Sequence, residues 1–422
     1  MPFTSLGLSE DIIKALTHKG YREPTAVQKE LIPSVMQGRD ILASAETGTG
    51  KTAGFVLPIL QMILEKSRAT EHHVLRALIL VPTRELARQV LGQLEAYARY
   101  LPLRSMAVYG GSPVAAQARR LAGGVDILVG TPGRVLQHIA QKNLDLHSID
   151  YFVLDEADTM LDMGFRSDLS QIIQSLRVKR QTILLSATLP GTVKRLSEEL
   201  LHRPIQIEMV PMGSVTDSVR QVLHPVARER KAELLSYLIG SRNYRQVLVF
   251  VRKKAEADQL TDELIASGLS SAVIHGGKRS GVRSRALRDF MENKIRILVA
   301  TDIAARGLDI KDLDVVINYD IPHVAEDFIH RIGRTGRAGR EGLAITLSSP
   351  DESVALRSIE RMLGKALRVE VIPGYLPPPQ AKCQGPRNKP AQKKKTAGAF
   401  GKKRSTTTTK KRKTTKRDGY RR

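Results

Sequence analysis

The segment Ala45-Glu46-Thr47-Gly48-Thr49-Gly50-Lys51-Thr52 sets two glycines, a lysine and a hydroxyl in an order suited to phosphate binding. Gly48 and Gly50 let successive N–H groups curl round a β-phosphate that a Cβ would keep away, and a helix starting behind them points its positive end at the anion. Lys51 then offers a mobile cation to the β and γ oxygens, while the Thr52 hydroxyl can enter the shell of a Mg2+ bridging them. The strict pattern has Gly at its first position, where this chain has Ala45.

Further along, Asp155-Glu156-Ala157-Asp158 closes the apolar run Tyr151-Phe152-Val153-Leu154. Adjacent carboxylates at the end of a buried strand repel each other and lose hydration unless a cation sits between them. Asp155 is the natural Mg2+ partner, directly or through water, and Glu156 is placed to orient and polarise an attacking water. A third segment, His330-Arg331-Ile332-Gly333-Arg334-Thr335-Gly336-Arg337, places three arginines in seven residues, and their planar forks suit phosphate oxygens. Each segment alone also reads as a plain turn. Together they describe a nucleoside-triphosphate site.

The elements that must hold these loops are apolar runs that end in them. Ile41-Leu42-Ala43, Ala77-Leu78-Ile79-Leu80-Val81, Asp126-Ile127-Leu128-Val129, Tyr151 to Leu154 and Thr182-Ile183-Leu184-Leu185 alternate with helical stretches. That alternation predicts a doubly wound α/β domain whose ligands lie at the carboxyl ends of parallel strands. Around Met209 to Asp217, Pro211 and Gly213 sit among polar residues, and the linker is expected there. A second series follows with Gln246 to Phe250, Ala272 to Ile274, Ile295 to Val299 and Asp314 to Ile317. The arginine segment lies beyond it, so Lys51 and Arg334 belong to different domains and the site is split across a cleft.

With these segments in this order, the chain resembles the DEAD-box family of ATP-dependent RNA helicases over about residues 3 to 372. The resemblance also rests on Gly20-Tyr21-Arg22-Glu23-Pro24-Thr25-Ala26-Val27-Gln28, Pro82-Thr83-Arg84-Glu85-Leu86-Ala87, Gly110-Gly111 and Thr131-Pro132-Gly133-Arg134. It continues through Ser186-Ala187-Thr188, Val249-Phe250-Val251-Arg252 and Ala300 to Asp309. Within the family, the Gly-Tyr-Arg-Glu-Pro-Thr start, Leu161-Asp162-Met163-Gly164-Phe165 and Ile372-Pro373-Gly374-Tyr375 are most similar to the bacterial RhlE subgroup.

The resemblance implies two tandem RecA-like, doubly wound parallel-sheet domains at 1–208 and 218–373, joined by a linker at 209–217 and followed by a disordered Lys/Arg-rich tail at 374–422. ATP and Mg2+ would be the cofactors. Gln28 would read the adenine edge and Tyr21 would stack on the base; Glu46, Thr47, Gly48, Thr49, Gly50, Lys51 and Thr52 would surround the phosphates. Asp309 would hold the ribose hydroxyls, with Gly307 in the same nucleotide site. Glu156, Lys51, Asp155, Arg334 and Arg337 would be catalytic, the two arginines as fingers from the second domain, and Thr52 and Asp155 would meet the metal. Asp158, Ser186, Thr188 and His330 would couple the domains. Arg84, Gly110, Gly111, Thr131 and Arg134 would follow an RNA backbone from the first domain, and Arg252, Gly276, Arg283 and Thr301 from the second. Two residues depart from the pattern: Ser280 stands where the family usually has Gln, and Thr159 where the subgroup usually has Arg. Both bear on RNA contact rather than on ATP chemistry.

Composition bounds the rest. The 422 residues exceed a single typical core, and 41% apolar content suffices for sizeable ones. One cysteine, Cys383, excludes an internal disulfide and a cysteine-type metal site, in keeping with a reducing cytoplasm. The first ten residues lack the charged and apolar stretches of a secretory signal, and no run reaches membrane-spanning length. Of the formal +24, most lies at the end: from Gln380 onward there are seventeen Lys and Arg against Asp418 alone, which leaves +8 on the residues before it. With almost no apolar residues, that stretch is expected to stay disordered and to anchor RNA by counterion release. Aromatic residues make up 4% and Trp is absent, so stacking platforms are not expected to dominate.

The expected activity is RNA-stimulated ATP hydrolysis in the cleft, driving local unwinding of RNA duplexes and ribonucleoproteins. An ATP-gated RNA clamp and a DNA translocase remain the rival readings. Backbone contacts carry no sequence information, so the RNA itself is open. By resemblance, ribosomal or degradation ribonucleoproteins are partners, and oligomeric state stays open.

Overall fold

In a computed structural model, the described residues are 2–45, 49–66, 73–208, 219–305, 310, 313–336 and 341–376. The first series of apolar runs forms strands β1 Ile41–Ser44, β2 Ala77–Leu80, β3 Ser105–Val108, β4 Ile127–Gly130, β5 Tyr151–Leu154, β6 Gln181–Ser186 and β7 Ile205–Glu208. They make a seven-stranded sheet in the order β3-β4-β2-β5-β6-β1-β7. Every pairing in it is parallel.

The second series gives β8 Val219–Pro225, β9 Val247–Phe250, β10 Ser271–Ile274, β11 Ile297–Ala300, β12 Val315–Asn318, β13 Gly342–Ser348 and β14 Arg368–Val369. This second sheet runs β10-β11-β9-β12-β13-β8-β14, also seven-stranded and parallel. We call the two halves lobes; Met1–Pro378 forms one compact unit that holds both.

Continuous apolar runs become strands here because both faces of each sheet are covered. Along β5, Tyr151 and Val153 enter one core and Phe152 and Leu154 the other. Along β9, Val247 and Val249 face one side while Leu248 and Phe250 face the opposite side. Each such side chain contributes about 1.5–3 kcal/mol on burial, so a one-residue slip in register would exchange two packed faces at once. That register places Ser44, Leu154 and Ser186 at the same edge of the first sheet, through Ser44 opposite Ser186 and Leu154 opposite Leu184. The phosphate loop, the acidic turn and the Ser-Ala-Thr segment leave together from that carboxyl edge.

Parallel β14 is two residues long and was not anticipated, nor were β3, β7, β8 and β13. The linker at 209–217 and the tail from 377 onward lie outside the described residues, as do Glu46, Thr47, Gly48, Gly307, Asp309 and Arg337. Among the described residues, no helix is long and apolar enough to cross a membrane.

Candidate functional site

A capping box starts the helix Ala26–Met36, in which the Thr25 side chain accepts from Gln28 N and Gln28 Oε1 accepts from Thr25 N at 3.0 Å. The same amide reaches the phosphate loop, since Gln28 Nε2 donates to Gly50 O at 3.2 Å and Thr25 Oγ1 donates to Thr49 O at 2.8 Å. An amide oxygen has two lone pairs and its nitrogen two N–H groups. One of each therefore remains for a ligand. Gly50 sits at φ +95°, and a Cβ there would lie 2.4 Å from Gln28 Nε2, so only glycine fits. Tyr21 packs against Tyr97, with ring centroids 6.1 Å apart.

The helix Lys51–Lys66 begins directly after the loop, and Lys51 is 6% exposed with Nζ donating to Ala45 O at 2.6 Å. Facing it are Asp155 and Glu156, 4% and 6% exposed. Burial raises the Asp155 carboxyl above its ordinary value against the pull of Lys51. Burial, followed by the charge of Asp155, pushes Glu156 up to about 7. Glu156 has left-handed backbone, φ 56° and ψ 52°, at the head of the helix Ala157–Asp162. Its Oε2 is buried with no hydrogen-bond partner. The unpartnered Glu156 oxygen leaves an acceptor for a water, and a divalent cation at the neighbouring Asp155 would relieve the repulsion between the two buried carboxylates.

Asp158 organises the neighbouring strand end. Its Oδ2 accepts from Ala187 N at 3.1 Å, Thr188 N at 3.0 Å and Thr188 Oγ1 at 3.1 Å, while Ser186 Oγ donates to Thr188 O at 2.5 Å. Burial raises the Asp158 carboxyl, but His330 and Lys51 with the Thr159 and Thr188 N–H groups outweigh it and leave it below its ordinary value. Across the cleft, Arg334 is 5% exposed and its charge pulls on Glu156. Residues of the second lobe thus act electrostatically on the acids of the first. Of the two described arginines of this segment, Arg331 is 1% exposed, with Nε and Nη2 on Asp302 at 2.5 and 2.8 Å and Nη1 on Asp320 O at 2.6 Å. Arg331 therefore holds its own helix, Ala325–Ile332, in place and is not available to a phosphate.

On a second face, Arg84 lies over Gly111, where a Cβ would meet its Nη1 at 2.7 Å. Arg84 Nε pairs with Glu85 Oε1 at 3.0 Å, and Arg283 Nη2 of the second lobe reaches the same oxygen at 3.3 Å. Arg134 Nη1 is fixed by Ser112 O and Gln117 Oε1, both at 2.9 Å, and Gln117 Oε1 also meets Nε2 of the fully buried His138 at 3.1 Å. Gly110 is exposed and Thr131 half-buried beside them. In the second lobe, Arg252 N donates to Asp320 Oδ2 at 2.9 Å, and Arg252 Nη1 to His323 Nε2 at 3.2 Å. Thr301 is 7% exposed at the end of β11, and Gly276 is exposed after β10.

Several organising residues escaped sequence reasoning. Glu352 accepts from Lys231 Nζ at 2.6 Å, Ile321 N at 3.1 Å and Ser349 Oγ at 2.9 Å, and lies 3.8 Å from Arg252 Nη2. Lys231 is 1% exposed and also donates to Tyr319 O at 2.7 Å. These two buried charges tie together the ends of β9, β12 and β13. Glu85 was visible only as one residue of a motif, and Gln117 was not singled out at all, because a bridging role needs the partner's position in space.

Comparisons with known proteins show which chains this one resembles. The DEAD/DEAH box helicase family model matches residues 25–196, and the Helicase conserved C-terminal domain model matches residues 230–339. A Listeria monocytogenes protein named ATP-dependent RNA helicase CshA is 42% identical over 366 residues, covering 87% of this chain and 69% of that protein. Among solved structures, S. cerevisiae Dbp5 bound to RNA and ADP BeF3 is 29% identical with a TM-score of 0.77, over 88% of this chain and 95% of that one. A Dbp5 variant bound to nup159, a gle1 variant, ip6 and adp is 28% identical and superposes with a TM-score of 0.60, over 87% and 95% of the two chains. The arrangement here is thus nearer to the RNA- and ADP BeF3-bound form of that protein. On these grounds the chain belongs to the DEAD-box helicase family.

Proposed function

We propose that the protein is an ATP-dependent RNA helicase whose ATP site is completed only when the two lobes meet. The observation that carries this reading is the cluster of Lys51, Asp155, Glu156 and Asp158 from one lobe, on which His330 and Arg334 of the other act. In our reading the domains are 1–208 and 218–373, with 209–217 as linker and the basic tail from 374 as RNA anchor.

Lys51 and the loop N–H groups bind the β and γ phosphates, and the spare donor and acceptor of Gln28 take the adenine edge, with Tyr21 and Asp309 at base and ribose. Thr52 and Asp155 would hold Mg2+, which would supply neutralising charge at the phosphate oxygens. Glu156 accepts a proton from the water whose oxygen attacks the γ-phosphorus; the bond to the ADP oxygen breaks, and Arg334 and Arg337 stabilise the charge that develops. Asp158, Ser186, Thr188 and His330 couple this step to the lobes. Arg84, Gly110, Gly111, Thr131 and Arg134, with Arg252, Gly276, Arg283 and Thr301, line the RNA backbone path, where 2′-hydroxyl and A-form contacts favour RNA over DNA.

The RhlE-type subgroup is our finer reading, supported by the segments at Gly20–Thr25, Leu161–Phe165 and Ile372–Tyr375; the relative compared above carries the name CshA. Ribosomal or degradation ribonucleoproteins in the cytoplasm are the substrates this reading favours. The test is separation of a short RNA duplex by the full chain. Separation with ATP, absent with Glu156→Gln, supports the proposal; equal separation without nucleotide contradicts it.

A further inference from the structure

His275 follows β10 and is 5% exposed, yet the two residues after it, Gly276 and Gly277, are exposed. Both ring nitrogens are engaged. Nδ1 accepts from Gly277 N at 3.1 Å, and Nε2 lies 3.0 and 3.1 Å from the two oxygens of Asp258. An imidazole that accepts at Nδ1 and faces a carboxylate at Nε2 is the neutral form protonated on Nε2. Lys278 closes the arrangement, its Nζ 2.9 Å from Asp258 Oδ1 and its N–H on His275 O at 3.0 Å.

The turn is therefore wrapped around its own histidine. A Cβ on Gly277 would stand 3.0 Å from Nδ1, so a side chain there would push the ring back by a few tenths of an ångström. A Cβ on Gly276 would meet only the Lys254 side chain, at 3.8 Å. The outer surface of the turn thus stays bare backbone with an ammonium beside it. Asp258 is 41% exposed, so burial of apolar surface does not explain its pairing with the ring.

We infer that His275 is a positioning residue for RNA, an imidazole oriented by Asp258 that fixes the Gly276-Gly277 turn in the shape its backbone presents to a phosphate. This rests on the reading of Gly276 as an RNA backbone contact. Order imposed before binding lowers the entropic cost of the contact, so loss of the ring weakens RNA binding without altering the ATP chemistry.

The test is ATP hydrolysis by the full chain titrated with a uridylate homopolymer, with thermal unfolding measured in parallel. His275→Ala is expected to raise the RNA concentration for half-maximal rate about tenfold while the rate at saturating RNA stays within about twofold. His275→Asn, whose Oδ1 can accept from Gly277 N, is expected to restore most of the loss. Gly277→Ala keeps the ring but crowds it, and is expected to show the same weakening should His275→Ala fold poorly.

Wild-type RNA dependence in His275→Ala, or a fall in saturated rate alone, would overturn the proposal. An Arg134→Ala control separates the causes. If it weakens RNA dependence while His275→Ala does not, the positioning role fails; if neither does, the RNA face itself fails.

Discussion

Glu156 combines three unfavourable features in one residue: a left-handed backbone, near-complete burial, and a carboxylate neighbour in Asp155. A non-glycine residue in that conformation costs about 1–3 kcal/mol and persists only where its surroundings hold it. Here Glu156 N donates to Asp155 Oδ1 at 3.0 Å and Met160 N to Glu156 O at 3.0 Å. In the proposed mechanism Glu156→Gln keeps the shape and removes the base, so ATP binding should persist while single-turnover hydrolysis falls about 100- to 10,000-fold. A full hydrolysis rate in that variant would remove Glu156 from the mechanism. Lys51, Asp155, Glu156 and Asp158, singled out in the chain, do come together, and they were readable because phosphate, metal and base chemistry each demand a narrow choice at fixed spacing. Arg331 was not readable, since its role is set by Asp302 and Asp320, which only the fold brings to it.

At the scale of elements, the strand-loop-helix unit that carries Lys51 depends on Gly50. Its positive φ and the 2.4 Å approach to Gln28 leave no room for a side chain. Gly50→Ala should weaken nucleotide binding by at least about tenfold in a direct binding assay, because it breaks the Gln28 tether and strains the loop together. Near-normal binding would mean that the tether is dispensable.

In the second sheet, His224 on β8 is fully buried, with Nδ1 on Glu370 O at 2.5 Å and Nε2 without a partner. Burial lowers its pKa below the ordinary 6.5. Between that folded value and 6.5, the unfolded chain binds more protons than the folded one, so stability falls as pH drops below about 6.5. His224→Asn keeps a donor toward Glu370 and does not titrate; it should reduce the acid loss of thermal stability measured between about pH 6.5 and 5. An unchanged acid profile would exclude His224 as a source. The strands that ended in motifs were legible as continuous apolar runs. β8 was not, because its exposed Arg220 and half-buried Gln221 interrupt the run, and β14 is short with both residues exposed.

For the whole molecule, two interactions between the lobes matter most: the pull of His330 and Arg334 on the buried acids, and the reach of Arg283 to Glu85 on the face proposed for RNA. In the proposed mechanism, one closure completes the ATP site and joins the two halves of the RNA path. The division into two lobes was legible from the repeated strand series, whereas Glu85 as a bridge was not, since the sequence holds its partner almost two hundred residues away. The central claim is that RNA and ATP favour the same closed arrangement. It is tested most directly by ATP turnover of the full chain with and without single-stranded RNA, duplex RNA or DNA. RNA, and not DNA, should raise turnover at least about tenfold, equivalent to about 1.4 kcal/mol off the activation free energy. Turnover indifferent to RNA, despite salt-sensitive RNA binding, would contradict the account.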